Sequence, residues 1–168
     1  MESVQKALRL TFFDQRTTRQ VMFEHGATAD AVMIVAGVYA IVIVVGSLER
    51  GSFDLVGLLE GVIRGVAGWL FLSFAIWLMG TKLIKGSAEP QTLIRTAGFA
   101  SLPLLLSSLT FIRAELGLVG FIWHLALLVL VAKVVLGLRW IEAGAAVGLG
   151  WALIFLIQML LGATFFRF

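Results

Sequence analysis

The sequence predicts an all-α polytopic membrane protein, with five transmembrane helices preceded by an amphipathic helix at the membrane interface. Two observations lead there. Of its 168 residues, 60% are hydrophobic and only 14% charged, too few charges to clothe a soluble surface. The charges then divide the chain into five uncharged runs: Ala31 to Leu48 (18 residues), Gly65 to Thr81 (17), Thr96 to Ile112 (17), Leu116 to Ala132 (17) and Ala143 to Phe166 (24). A helix crossing hydrocarbon needs roughly 17–25 apolar residues, because its backbone must satisfy its own hydrogen bonds there. Residues 31–168 are therefore expected to form a five-helix membrane domain, and residues 1–30 a cytoplasmic or interfacial segment.

In that first segment Lys6, Arg9, Arg16 and Arg19 stand beside Glu2, Asp14 and Glu24. Val4, Ala7, Leu8 and Phe12 recur at helical spacing, with Leu10 and Phe13 flanking them, so a helix lying on the membrane with its cations toward anionic headgroups is expected. The first apolar run is too long and begins too far from Met1 for a secretory signal, although Val45-Gly46-Ser47 is a tolerable cleavage site; it reads as an uncleaved first helix.

Glu49-Arg50-Gly51-Ser52 makes a polar turn, after which Ser52 or Asp54 is placed to cap the second helix. From Asp54 to Lys82 that helix would measure about 42 Å, so it must tilt or project from the bilayer. Gly57, Gly61, Gly65 and Gly68 share one narrow face of it, where a neighbouring backbone can approach closely, and contact within the same chain is expected. Glu60 and Arg64, one turn apart, can neutralise each other near its outer end.

Lys82, Lys85, Glu89 and Arg95 form a cationic loop with Pro90 suited to the first turn of the third helix. Pro103 lacks an amide hydrogen and clashes with the carbonyl a turn earlier, so it should kink that helix, with Ser101, Ser107, Ser108 and Thr110 taking up freed backbone groups. Arg113-Ala114-Glu115 turns the chain into the fourth helix, where His124 is the one imidazole inside a span. It has no partner at metal-ligand spacing, so a hydrogen-bonded packing role is expected of it. The corner Arg139-Trp140-Ile141-Glu142 leads into the fifth helix, whose Gly144, Gly148 and Gly150 also allow close approach, and Thr164 to Phe168 closes the chain as an aromatic belt.

Gly98, Phe99, Ala100 and Pro103, within the run Gly98-Phe99-Ala100-Ser101-Leu102-Pro103, resemble the glycine-aromatic-Ala/Ser-x-x-Pro signature in the middle helix of the Yip1-domain family, and Trp123 resembles a tryptophan common in its fourth helix. That family consists of multi-pass membrane proteins which in eukaryotes are associated with Rab GTPases and early secretory traffic. The likeness runs from about Phe53 to Phe168 and implies a compact, prokaryotic-type Yip1 domain with a role in membrane organisation or trafficking. The long acidic, proline-rich soluble segment and the Asp-Leu-Tyr-Gly-Pro type motif of eukaryotic members are not in this sequence, so the resemblance does not carry over a Rab partnership.

Five crossings put the N-terminus with the loops at Lys82 to Arg95 and Lys133 to Arg139. That side carries nine Lys and Arg against four on the other (Arg50, Arg64, Arg113 and Arg167), which places the N-terminus in the cytoplasm and the C-terminus outside, in a cell (inner) membrane. Absence of cysteine excludes disulfides, thiol nucleophiles, thiolate zinc sites and lipidated cysteines. Neither a basic stripe with interleaved aromatics for nucleic acid nor a catalytic, cofactor or metal constellation is present in the sequence. The expected role is a non-enzymatic scaffold for helices, lipids or partner proteins, with the bilayer, other membrane proteins or further copies of itself as partners. The competing reading is a small transporter or channel subunit built around the Pro103-kinked helix, which would need polar groups converging at mid-membrane.

Overall fold

The computed structural model describes residues 2–24, 26–110, 112–113 and 115–161. His25 and the closing stretch from Thr164 to Phe168 lie outside the described residues. The elements are α1 (Glu2–Thr11), α2 (Gln15–Phe23), α3 (Ala27–Glu49), α4 (Leu55–Lys82), α5 (Pro90–Phe99), a 3-10 segment (Leu102–Leu109), α6 (Glu115–Leu136) and α7 (Trp140–Leu161), with no strand among the described residues. Helices α3, α4, α6 and α7 are long and apolar enough to cross a membrane, and α5 with the 3-10 segment, bent by 41°, makes a fifth crossing if the pair is one span. Ten α-helical and eight 3-10 residues together rise about 31 Å, the thickness of the hydrocarbon core.

Glycines set the register of the bundle. A Cβ at Gly61 would meet Ile43 and one at Gly65 the ring of Tyr39, so α4 runs antiparallel to α3 at close range. Gly80 lies against Leu136 and Ala146, and Gly150 lies 3.0 Å from the Ile76 backbone nitrogen, measured from the Cβ it lacks, which seats α7 antiparallel on α4. The face expected on α4 thus packs within the chain, with Gly68 also buried, whereas Gly57 meets only its own capping Asp54. On α7 the expectation needs correction. Gly144 and Gly148 have nothing within 4 Å of a built Cβ, and it is Gly150, on another side of the helix, that makes the close approach.

Caps fall where the chain chemistry puts them. Asp54 accepts from the amides of Val56 and Gly57 at 3.0 Å and starts α4, and Pro90 occupies the first turn of α5. Helix α5 begins earlier than the uncharged run, so Arg95 belongs to a helix rather than to the loop. Its guanidinium donates to the Glu24 carbonyl at 2.9 Å and to the Thr92 hydroxyl at 3.1 Å. Gly137, at φ 69°, closes α6, and Lys133 lies 4.8 Å over the Trp140 ring at the start of α7.

The N-terminal segment is amphipathic but forms two helices where one was expected. It folds as a hairpin that turns at Phe12-Phe13-Asp14, with Phe13 at φ 61° and Asp14 capping α2. Lys6 bridges to Glu24 at 2.9 Å and Ser3 donates to Asp30 at 2.7 Å, so the open end of the hairpin lies beside the start of α3. Ala7, Leu10 and Val21 are fully buried against the bundle, while Val4, Leu8 and Phe12 are exposed. The hydrophobic spacing identifies the helix but not its inward face, because a helix with apolar residues on two sides can bury either.

Candidate functional site

The polar chemistry of the membrane domain gathers where the third span breaks. At Phe99 the α-helix stops, Ala100 and Ser101 donate their amides to the carbonyls of Ala97 and Gly98, and the chain resumes as a 3-10 segment with Pro103 in its first turn. Such a break leaves carbonyls without helical donors, at a cost that hydrocarbon does not relieve. Side chains reach carbonyls of the break and of the 3-10 segment from two directions. Ser101 Oγ donates to the Gly98 carbonyl at 2.7 Å, Ser108 Oγ to Leu105 at 2.6 Å, Thr110 Oγ1 to Ser107 at 3.1 Å, and Ser107 Oγ to Leu104. From α6, His124 Nδ1 lies 2.9 Å from the Ala100 carbonyl. A carbonyl can only accept, so Nδ1 carries the proton and Nε2 of the neutral ring is an acceptor. The residue before it, Trp123, donates Nε1–H at 3.0 Å to the carbonyl of Thr11, the last residue of α1. Two consecutive side chains of α6 thus satisfy the ends of two different helices, and the tip of the N-terminal hairpin stands at the level of the break. Along α6 that level is about 18 Å from Leu136.

The residues of the Gly98 to Pro103 run all serve this junction. Gly98 lets Ala31 and the Trp69 ring approach, with a built Cβ only 2.7 Å from Ala31 Cβ; Phe99 and Ala100 are fully buried. Pro103 turns its carbonyl toward Gly120, 2.5 Å from the Cβ that glycine lacks. Beside the junction lies a cavity of about 500 Å³ that touches all five hydrophobic elements. Val35, Val38, Tyr39 and Val42 of α3, Trp69, Leu72 and Ser73 of α4, and Ser101, Leu104 and Ser107 beside the break line one part of it. Gly117, Phe121, His124 and Leu128 of α6 and Trp151 of α7 complete it. No charged side chain is among these lining residues, and among the described residues no three His, Asp or Glu side chains gather to hold a metal ion. The Nε1–H of Trp69 is buried and has no hydrogen-bond partner.

Glu60 and Arg64 do pair, on the exposed side of α4 and away from the cavity; their side chains are 57% and 54% exposed. Solvated or snorkelling to that degree, they contribute little to stability. His124 and Gly98 to Pro103 are brought together, as is Trp123, whereas the glycines of α4 serve the α3 contact on one flank. What the sequence reading missed is the cavity wall itself, above all Trp69 and Ser73. A signal was present in Trp69, which sits in the middle of an apolar helix rather than at the interface where tryptophan is enriched.

None of the family models, curated proteins or solved structures compared with the chain matches it.

Proposed function

We propose that this chain is a non-catalytic membrane protein that holds an apolar, lipid-derived molecule inside its bundle, as part of a Yip1-like role in organising the membrane around it. The observation that carries the reading is the uncharged cavity of about 500 Å³ among the spans, a volume within the range of small-molecule sites. Charged solutes find no compensation in such a lining, since an unpaired charge in low dielectric is strongly unfavourable. The resemblance to Yip1 domains supports it through the Gly98 to Pro103 run, of which Ser101 lines the cavity and Ala100 contacts His124, another lining residue. In the orientation favoured by the Lys and Arg count, the N-terminal hairpin enters from the cytoplasm, the C-terminus lies outside, and the membrane is the cell (inner) membrane.

Protein purified from its native membrane and released gently in a mass spectrometer should carry one adduct of lipid-like mass. Leu104→Trp, which projects a larger ring into the cavity from the 3-10 wall, should reduce the adduct without a change of fold. Equal adducts on both proteins would remove the cavity from the proposal. The transporter reading draws on one further observation, the 41° break on the cavity wall. It would take precedence if the protein reconstituted in liposomes moved a solute that Leu104→Trp blocked.

A further inference from the structure

We infer that the occupant of the cavity is one acyl chain of a bilayer lipid, inserted methyl end first from the end of the bundle where α3 finishes and α6 begins, with its headgroup left at the interface. The inference rests on the cavity being a ligand site and names the class of ligand and its way in. Exposure of the lining residues changes along three elements. On α3 Val38 is buried and Val42 half-buried; on α6 His124 is buried and Gly117 half-buried; along the third span Ser101 is buried and Ser107 half-buried. Register makes these three gradients one. Arg95 lies by Glu24 and Gly98 by Ala31, so α3 runs parallel to the third span, whereas Ala100 by His124 and Thr110 by Gly117 set α6 antiparallel to it.

The cavity is therefore a pocket with one mouth. Its floor lies at the break, where the α4 lining residues Trp69, Leu72 and Ser73 are buried as well. Beyond the floor the bundle is packed: among the described residues Val38 is the last buried hydrophobic residue of α3 and Leu127 the first of α6. The depth is that of one leaflet. From Leu128 to Gly117 α6 rises about 17 Å, and Ser101 to Ser107 spans about 12 Å at 3-10 pitch, against roughly 15 Å for half of a hydrocarbon core. A lipid drawn in whole would bring its polar headgroup against a lining that has no charge, so the headgroup stays at the mouth. The chain gains little hydrophobic free energy, because the tails it leaves are as apolar as the pocket. What it supplies is contact, since walls that face a void forfeit the dispersion attraction of a filled neighbour.

The test uses the full chain reconstituted in phosphatidylcholine vesicles that contain one of two photoactivatable phosphatidylcholines, with a diazirine either at the terminal carbon of an acyl chain or beside its ester. After illumination and digestion, mass spectrometry locates the labelled residues. The terminal diazirine should label Leu72 and Leu128 on the floor, which surrounding lipid does not reach because both are buried. The diazirine beside the ester should label Val42 and Gly117 and leave the floor unlabelled. Outward-facing Ile63 and Phe155 report the surrounding lipid and serve as the reference for a folded protein. Leu104→Trp should weaken the floor labels and keep those on the outward side chains. Floor labels from the ester-side probe alone overturn the methyl-first orientation, and labels confined to outward side chains with both probes overturn the acyl chain as occupant. In that last case an adduct still carried from native membranes, and reduced in Leu104→Trp, leaves the cavity reading standing with another ligand; no adduct ends both. The comparison of the two probes needs only the wild-type protein, so the outcome does not depend on Leu104→Trp folding.

Discussion

His124 and Trp123 show how a polar side chain in a span can be structural without being inert. Each is spent on a carbonyl that a helix end has orphaned, Ala100 for the imidazole and Thr11 for the indole, and the Ala100 contact is buried. Replacing His124 by leucine keeps the volume and removes the donor, so the Ala100 carbonyl is left buried and unmet. The expected loss is about 1–3 kcal/mol, the desolvation cost of an unsatisfied buried group. It would be read as a lower melting temperature in detergent, and His124→Asn, which restores a donor, should recover part of it. An unchanged melting temperature for His124→Leu would mean that another group satisfies this carbonyl. That a histidine here is a packing residue was legible from its isolation from other metal ligands; that it faces a cavity was not, because sequence spacing on one helix says nothing about which neighbouring helices fail to meet.

At the scale of elements, the third span and the N-terminal hairpin are the two departures from a simple row of helices. Pro103 signals the break correctly but not its form: the helix ends before the proline and continues as eight residues of 3-10, where a single kink was expected. The hydroxyls of Ser101, Ser107, Ser108 and Thr110, each bonded to the carbonyl three residues earlier, support the tighter winding independently of the proline. The break should therefore be static. Spin labels at Ser87 and Arg113 are expected to give one distance in the wild type, and in Pro103→Ala one distance with lower thermal stability. Two distances in the wild type that collapse to one in Pro103→Ala would identify a hinge instead. The hairpin depends on the cap at Asp14, whose carboxyl lies below its ordinary pKa because the Thr17 hydroxyl donates to it at 2.8 Å and the Arg16 amide at 2.9 Å. A lowered carboxyl pKa means that the charged form favours the folded hairpin. Its contribution is present above about pH 4, the ordinary carboxylate value, and is lost as pH falls through the lowered one. Amide exchange at Thr17 and Thr18, corrected for intrinsic rate, should accelerate there, and Asp14→Asn, a competent neutral cap, should abolish the pH dependence. Exchange that stays constant with pH in the wild type would show that the cap does not hold the turn.

For the whole molecule, the sequence carried the class and most of the spans because hydrophobic length is a one-dimensional property, and the lipid-facing coat of Ile41, Ile63, Phe71, Phe155 and Met159 confirms why so few charges suffice. Inward and outward faces were harder to read. In water an apolar face is an inward face; in a bilayer both directions are apolar, so nothing in composition separates Gly150, which touches Ile76, from Gly148, which touches nothing. The number of crossings turns on whether α5 and the 3-10 segment traverse the bilayer as one span. Their antiparallel register on α6 favours this: Ala100 lies by His124, Pro103 by Gly120 and Ser107 by Gly117, an alignment continuing away from the Arg95 end. The chain has no cysteine, so single thiols can be introduced without background. Ser52→Cys and Arg113→Cys should react with a membrane-impermeant maleimide added to intact cells, whereas Ser87→Cys and Arg139→Cys should react only after the membrane is opened. Labelling of Arg113→Cys together with Ser87→Cys, and not with Ser52→Cys, would make the broken segment re-entrant. The count would then fall to four crossings.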